Sequence, residues 1–230
     1  SFHERIREWL HSLDLLNFRN ALDVACGTGW SLYALESISE KSQGFDISPE
    51  SIRIAKSKGL AATLGNLSTQ EFSERFDLVT CCNAFHWFDK AKAVQKFKEF
   101  STDNATWLLY KFYFAGSINN QNLTTWFKEE FRTSYVSVLN GRQDSSYDLN
   151  EFEGLEKISK GIGSIPYRMN VEGFVNYLTT FSNIEKKLFL GAKITDIRAQ
   201  LKESLENIDF PSDMDFRFEY TVYRYKHNEF

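Results

Sequence analysis

Proline is nearly absent from this chain, with 3 in 230 residues, and glycine is sparse at 12. Collagen-like and Pro/Gly-rich low-complexity architectures are thereby excluded. No apolar run approaches 18 residues, so no membrane span is readable and no membrane partner is expected. The longest candidate, Trp107 to Ala115, is short and contains Lys111. Cysteine is scarce as well. Cys26, Cys81 and Cys82 are odd in number, lack Cys-x-x-Cys spacing and have no histidine at metal-ligand spacing. They are expected to be small buried hydrophobes in a reducing, cytoplasmic compartment, and no metal is expected. A signal-peptide pattern is missing at the start. The chain begins at Ser1 without Met, so residues upstream of it are expected. Basic excess is missing too: 27 Lys and Arg face 31 Asp and Glu, a net charge of −4. That balance argues against a general nucleic-acid partner.

Aromatic residues are plentiful: 21 Phe, 10 Tyr and 5 Trp. Part of that excess is expected to line an apolar ligand pocket. The first half alternates strand-like and helix-like segments. Helix is predicted over Glu4 to Leu16, after Gly29 through Leu35, from Ser48-Pro49 onward, and over Ala91 to Phe100. Strand is predicted over Asn20 to Cys26, Ser42 to Ile47, Ala61 to Gly65, Phe76 to Cys82 and Ala105 to Phe112. Such alternation implies a parallel sheet with helices on both faces. The second half breaks the rhythm. Asn119 to Val138, Val171 to Phe181 and Thr195 to Asn207 read as helices, and Gly141 to Asn150 as a loop. Phe152 to Met169 has strand character interrupted by Gly161 and Gly163, and Asp215 to Lys226 alternates as a strand.

The chemistry concentrates where the first strand meets the next helix. Asp23-Val24-Ala25-Cys26-Gly27-Thr28-Gly29 places Gly27 and Gly29 in a tight turn that a ligand can approach without a Cβ in the way. Seventeen residues after Gly29, Asp46 stands at the end of the second strand, where a carboxylate can accept both hydroxyls of a ribose. The turn lacks the third glycine of a dinucleotide site, since Leu32 occupies that place, and it lacks a phosphate-binding lysine. An NAD-dependent oxidoreductase is therefore disfavoured. Asp23 beside the turn suits a ligand with a cationic amino-acid part better than one with two phosphates.

These residues resemble class I S-adenosylmethionine-dependent methyltransferases. Leu22 to Gly29 is similar to their first motif, Gly44-Phe45-Asp46-Ile47-Ser48-Pro49 to the second, and Gly65-Asn66-Leu67 to the third, where Asp is commoner than Asn. Phe76-Asp77-Leu78-Val79 through His86-Trp87-Phe88-Asp89 looks like the fourth. The His-Trp-Phe signature and Val175 to Ser182 resemble the trans-aconitate methyltransferase-like group. Ala25 stands where the first glycine is commoner, and the Tyr/Arg-rich segment that usually precedes the first helix has no counterpart. The resemblance implies a Rossmann-like α/β fold: a seven-stranded, mostly parallel sheet with a helical cap inserted after the fifth strand. Residues 1–115 would be the cofactor-binding half, 116–210 the cap and substrate side with an edge strand near 152–169, and 211–230 the closing strand.

By the same resemblance, Asp23, Ala25, Cys26, Gly27 and Gly29 surround the methionine part of S-adenosylmethionine. Asp46 holds the ribose and Ile47 packs on the adenine. Asn66 meets the adenine amino group through its carbonyl, Leu67 lies beside it, and Asn83 lies near the sulfonium. His86 follows the fourth strand at the ligand-binding edge of the sheet and is the candidate base or acceptor ligand. Trp87 is a candidate on the acceptor side, although core is the simpler reading for it and for Phe88. Lys111, Arg132, Arg142 and Arg168 are candidate holders of an anionic acceptor, each also readable as a solvated charge. His3, His11 and His227 carry no motif and are assigned to the surface. The expected reaction is methyl transfer to a small molecule, chiefly O-methylation of a carboxylate, with S-adenosylhomocysteine as product. An aromatic hydroxyl or amine acceptor, and a non-catalytic cofactor-binding protein, stay open as alternatives. Either a monomer or a homodimer fits the sequence.

Overall fold

A computed structural model describes residues 3, 5–135, 147–181, 184, 187, 188 and 190–227. The chain folds as a seven-stranded sheet in the order β3-β2-β1-β4-β5-β7-β6. The expectation of a seven-stranded, mostly parallel Rossmann-like fold is met. The strands are β1 (Phe18–Val24), β2 (Ser39–Asp46), β3 (Ala62–Leu64), β4 (Phe76–Cys82), β5 (Ser101–Ser117), β6 (Leu155–Met169) and β7 (Ser212–Tyr225). The pairs β1/β2, β1/β4, β2/β3 and β4/β5 are parallel. Between them run α1 (Arg5–His11), α2 (Trp30–Leu35), α3 (Pro49–Ser57) and α4 (Lys90–Phe100).

By contacts the chain divides into two compact units. The first comprises Ser1–Phe112, Arg142–Ile162 and Glu219–Phe230; the second comprises Tyr113–Gly141 and Gly163–Phe218. In the first unit, β4 is buried at almost every position because helices cover both faces of a parallel sheet. Leu22, Val24, Phe45, Phe76, Val79, Phe97, Trp107 and Leu109 form its core. Trp107 satisfies its one donor on the Ser101 hydroxyl at 2.7 Å. Helix ends follow local chemistry: the Ser48 hydroxyl caps Ser51 N with Pro49 first in the helix, and Asp89 caps Lys92 N.

The second unit contains α5 (Gln121–Trp126), α6 (Val171–Leu178) and α7 (Ile194–Ser204). Past Trp126 the helix widens into a π turn over Phe127–Phe131 before the short Arg132–Ser134 piece. Residues 136–138 of the expected helix lie outside the described residues. The aromatics of this unit are mostly core: Trp126, Phe127, Phe131, Tyr135 and Phe174 are buried. Phe114 meets Phe127 and Phe174 at ring distances of 4.8 and 5.1 Å, and its N–H donates to the Tyr177 hydroxyl. Tyr167 differs, being half exposed.

Several bounds depart from the sequence reading: β5 runs Ser101–Ser117 where Ala105 to Phe112 was expected, and β2 starts at Ser39 where Ser42 was expected. Gly161 and Gly163 do not interrupt β6; they let it pass under rings. A Cβ at Gly161 would collide with the Tyr220 ring, and one at Gly163 with the Phe218 ring. Also, α1 ends at His11 instead of Leu16. The chain turns there, with Asp14 and Asn17 in left-handed conformations.

Candidate active site

The turn after β1 is built from unusual backbone angles. Ala25, Gly27 and Gly29 have φ of 57°, 53° and 88°. Gly29 is tied by its N–H to Cys26 O at 2.9 Å, and its own carbonyl accepts the Tyr33 N–H that starts α2. The two glycines serve different purposes. A Cβ on Gly29 would run into Leu60 and Ala55 of the packed α3 side, whereas a Cβ on Gly27 would meet nothing within 4 Å. Gly29 is therefore required by packing, and Gly27 borders open space.

Asp46 ends β2 beside that space. One carboxylate oxygen accepts Gly27 N–H at 2.9 Å and the other accepts Ser48 N–H at 2.8 Å. An ionised carboxylate offers about four lone-pair directions, so acceptor capacity is left on both oxygens. Ile47 follows at 70% exposure, a large apolar side chain held in the open next to the carboxylate. Leu64, paired with Asp46 across β2 and β3, is also exposed.

Asp23 is fully buried. Its oxygens accept from Ser31 Oγ and, at 2.8 Å, from Thr80 Oγ1. Burial raises its pKa from 3.8 to about 7, against the pull of those two hydroxyls, and the nearby Asp46 charge adds to the rise. A folded-state pKa above the unfolded one means the native state holds more protons between about pH 4 and 7. Stability from this group is full below the unfolded value and declines as pH rises toward 7. Asp23→Asn should therefore flatten the fall in melting temperature between pH 4 and pH 7. Thermal melts of both proteins at pH 5 and pH 8 check it; parallel curves would mean Asp23 does not titrate in that window.

At the end of β4, Asn83 adopts φ 51° and joins two strands. Its N–H donates to Tyr110 O, its Oδ1 accepts Phe112 N–H at 3.0 Å, and its Nδ2 donates to Phe112 O. A short 3₁₀ turn, Phe85–Trp87, follows. It buries Phe85 and leaves His86 half-buried, with its ring 4.8 Å from that of Trp87.

Residues 21–102 match the family model described as a methyltransferase domain. The match spans the glycine turn, Asp46 and the end of β4, a little over a third of the chain. The chain is also similar in fold to a candidate type II methyltransferase from Anaeromyxobacter dehalogenans, at 16% identity and TM-score 0.62, covering 97% of this chain and 95% of that one. It is similar to the YcgJ protein from Bacillus subtilis at 17% identity and TM-score 0.57, covering 99% and 100%. Coclaurine N-methyltransferase shares 12% identity at TM-score 0.56, covering 95% of this chain and 70% of that one. No curated protein matches the sequence.

Asp23, Ala25, Cys26, Gly27, Gly29, Asp46, Ile47, Asn66, Leu67, Asn83, His86, Trp87 and Lys111 all belong to the first unit, which contains the segment that the methyltransferase-domain model matches. Arg132 and Arg168 belong to the second, and Arg142 lies outside the described residues. Cys26 is buried under the turn, and burial pushes its thiol well above the ordinary range, as in a packing cysteine. Gly44 carries no side chain because a Cβ there would press on Cys26 and on the Asp23 carbonyl. The Asn66 carbonyl is taken by Ser68, accepting from its N–H and its hydroxyl at 3.0 and 2.9 Å. Leu67 is buried in the core. Lys111 pairs with Glu219 at 2.9 Å and lies over the Tyr147 ring. Arg168 is mostly exposed, 3.8 Å from Asp213.

Trp87 is 47% exposed and not a core residue, because the 3₁₀ turn points Phe85 inward instead. His3 is a second correction. It is half-buried, with its Nδ1 3.0 Å from the Tyr110 hydroxyl and its ring edge-on to Phe112, and burial lowers its pKa to about 4. Nothing in the local sequence of His3 marks this contact, which depends on α1 returning to β5. Sequence reasoning also missed Lys58, which reaches the glycine turn from the end of α3. Among the described residues no group of three or more His, Cys, Asp or Glu is placed to hold a metal ion, and no helix is long and apolar enough to cross a membrane.

Proposed function

We propose that this methyltransferase domain uses S-adenosylmethionine and that the chain methylates a small organic molecule, in the first place on a carboxylate oxygen. The observation that carries the reading is the open space over Gly27 beside an Asp46 carboxylate that still has lone pairs to offer. Asp46 receives the ribose hydroxyls, and exposed Ile47 covers one face of the adenine. Asn66, its carbonyl engaged, presents its Nδ2 donor to an adenine ring nitrogen. Asp23, Ala25, Cys26, Gly27 and Gly29 frame the methionine part, and Asn83 shapes the sulfonium end by holding β4 to β5. Coclaurine N-methyltransferase, of the same fold, was solved with S-adenosylhomocysteine, which supports the same ligand class here.

When bound, the cofactor supplies an electrophilic methyl group. The protein's share is alignment, which can contribute about 7–11 kcal/mol to the barrier. His86 and Trp87 flank the acceptor. Lys111, Arg142 and Arg168 are its candidate anion holders, and Lys111 and Arg168 already face Glu219 and Asp213. Residues 1–115 form the cofactor half, 116–210 the acceptor side and 211–230 the closing strand, in a cytoplasmic protein of the trans-aconitate methyltransferase-like group. Calorimetry with S-adenosylhomocysteine and NADH tests the cofactor. Labelled donor with a panel of carboxylic acids, phenols and amines tests the acceptor. Binding without turnover on any of them would favour a non-catalytic protein.

His86 separates the acceptor chemistries. A carboxylate is already ionised at pH 7, so His86→Gln should lower the rate only a few-fold. A hydroxyl needs its proton removed, and a positioned base contributes about 10²–10⁴-fold. A severe loss at pH 7 that recovers at high pH would replace the carboxylate reading with hydroxyl methylation.

A further inference from the structure

We infer that Lys58, at the end of α3, is a positioning residue for the cofactor: together with Trp30 it clamps the outer side of the glycine turn. The inference rests on the reading of that turn as the cofactor site. Lys58 Nζ donates to the Thr28 carbonyl at 2.8 Å, thirty residues away in sequence. The same ammonium lies 4.0 Å from the centroid of the Trp30 ring. Trp30 is the first residue of α2 and is 55% exposed, so its ring is not held there by burial in the core. Thr28 stands between the glycine that borders the open space and the glycine that packs against Leu60 and Ala55.

The polar groups of the turn explain why this contact matters. Gly27 N–H is fixed by Asp46, Gly29 N–H by Cys26 O, and Gly29 O by Tyr33 N–H. The orientation of the peptide between Thr28 and Gly29 is pinned at its carbonyl end by Lys58. Two left-handed glycines flank Thr28, and glycine populates many backbone conformations at little steric cost. Without the ammonium, that peptide has less to keep it in the conformation that leaves the space over Gly27 clear. Trp30 in turn limits where the long lysine side chain can go, since a cation over a Trp face is attracted by the ring. The cofactor would then bind a turn that is already ordered, and less ordering cost would be charged to binding.

Three variants test this: Lys58→Met, Lys58→Arg and Trp30→Leu. Affinity for S-adenosylhomocysteine is read by calorimetry, and amide exchange over residues 27–31 is read on the free proteins. Lys58→Met should bind about three- to thirtyfold more weakly, a part of what an exposed cation–π contact and a charged hydrogen bond contribute together, since both contacts are already made in the free protein. Its amides should exchange faster while the melting temperature stays near wild type. Lys58→Arg should restore both readouts, because a guanidinium can donate to Thr28 and stack on Trp30. Trp30→Leu should fall between. Unchanged affinity in Lys58→Met, or failure of the arginine to rescue it, would overturn the clamp. If Asp46→Ala and Gly27→Val also leave binding intact, the cofactor reading itself has failed; if they abolish it, only the role of Lys58 has.

Discussion

Replacing Gly27 with valine should abolish S-adenosylhomocysteine binding in a protein that still folds. The two Cγ methyls would enter the space over the turn, where a Cβ on residue 27 meets no protein atom within 4 Å. The backbone cost is real but bounded. Gly27 has φ 53°, where a β-branched residue is strained by about 1–3 kcal/mol. For a chain of this length that corresponds to a fall of about 2–4 °C in melting temperature per kcal/mol. Gly29→Val is the control with the opposite balance. It forces methyls into Leu60 and Ala55, and overpacking costs about 1–3 kcal/mol on top of the strain at φ 88°. So Gly27→Val should lose ligand more than stability, and Gly29→Val should lose stability first. Calorimetry and thermal melts on both separate the cases. Full binding by a folded Gly27→Val protein would place the cofactor elsewhere.

Asp46→Ala should weaken the same ligand by about a hundredfold or more. Two charge-assisted hydrogen bonds to the ribose are lost, each worth about 1.5–3 kcal/mol, and about 1.4 kcal/mol is a factor of ten. The carboxylate also fastens Gly27 N–H and Ser48 N–H, so its removal loosens both the turn and the start of α3. Asp46→Asn distinguishes these contributions. An amide oxygen can still accept one backbone N–H, but its NH₂ cannot accept from the other N–H or from a ribose hydroxyl. Asn should therefore recover part of the fold's stability and little of the affinity. Wild-type affinity in a folded Asp46→Ala protein would remove Asp46 from the ribose.

Periodicity carried the first half of the chain far. β4, predicted over Phe76 to Cys82, has those bounds, and α4 begins one residue before the predicted Ala91. Short strands such as β4, buried at most positions, alternating with helices leave few other ways to cover both faces of the sheet. The second half was less legible. There buried aromatic residues pack on one another, as Phe114, Phe127 and Phe174 show. Periodicity tells that a side chain faces inward, not whether inward means a core or a pocket.

The sequence by itself determined the class of chemistry. Gly27 and Gly29 in a strand-to-helix turn, with Asp46 at the next strand end, are local features read from spacing, and the methyltransferase reading came from the resemblance of Leu22 to Gly29 and of Gly44 to Pro49 to class I motifs. Tertiary structure decided what each of these residues is free to do. It made Gly29 a packing requirement and left Gly27 at open space, although both are glycines in one turn. It set Glu219 against Lys111, and brought His3 to Tyr110 and Lys58 to Thr28. These are contacts between residues 30 to more than 100 positions apart. No local pattern encodes them, because which side chains meet across that distance depends on how the helices and strands pack.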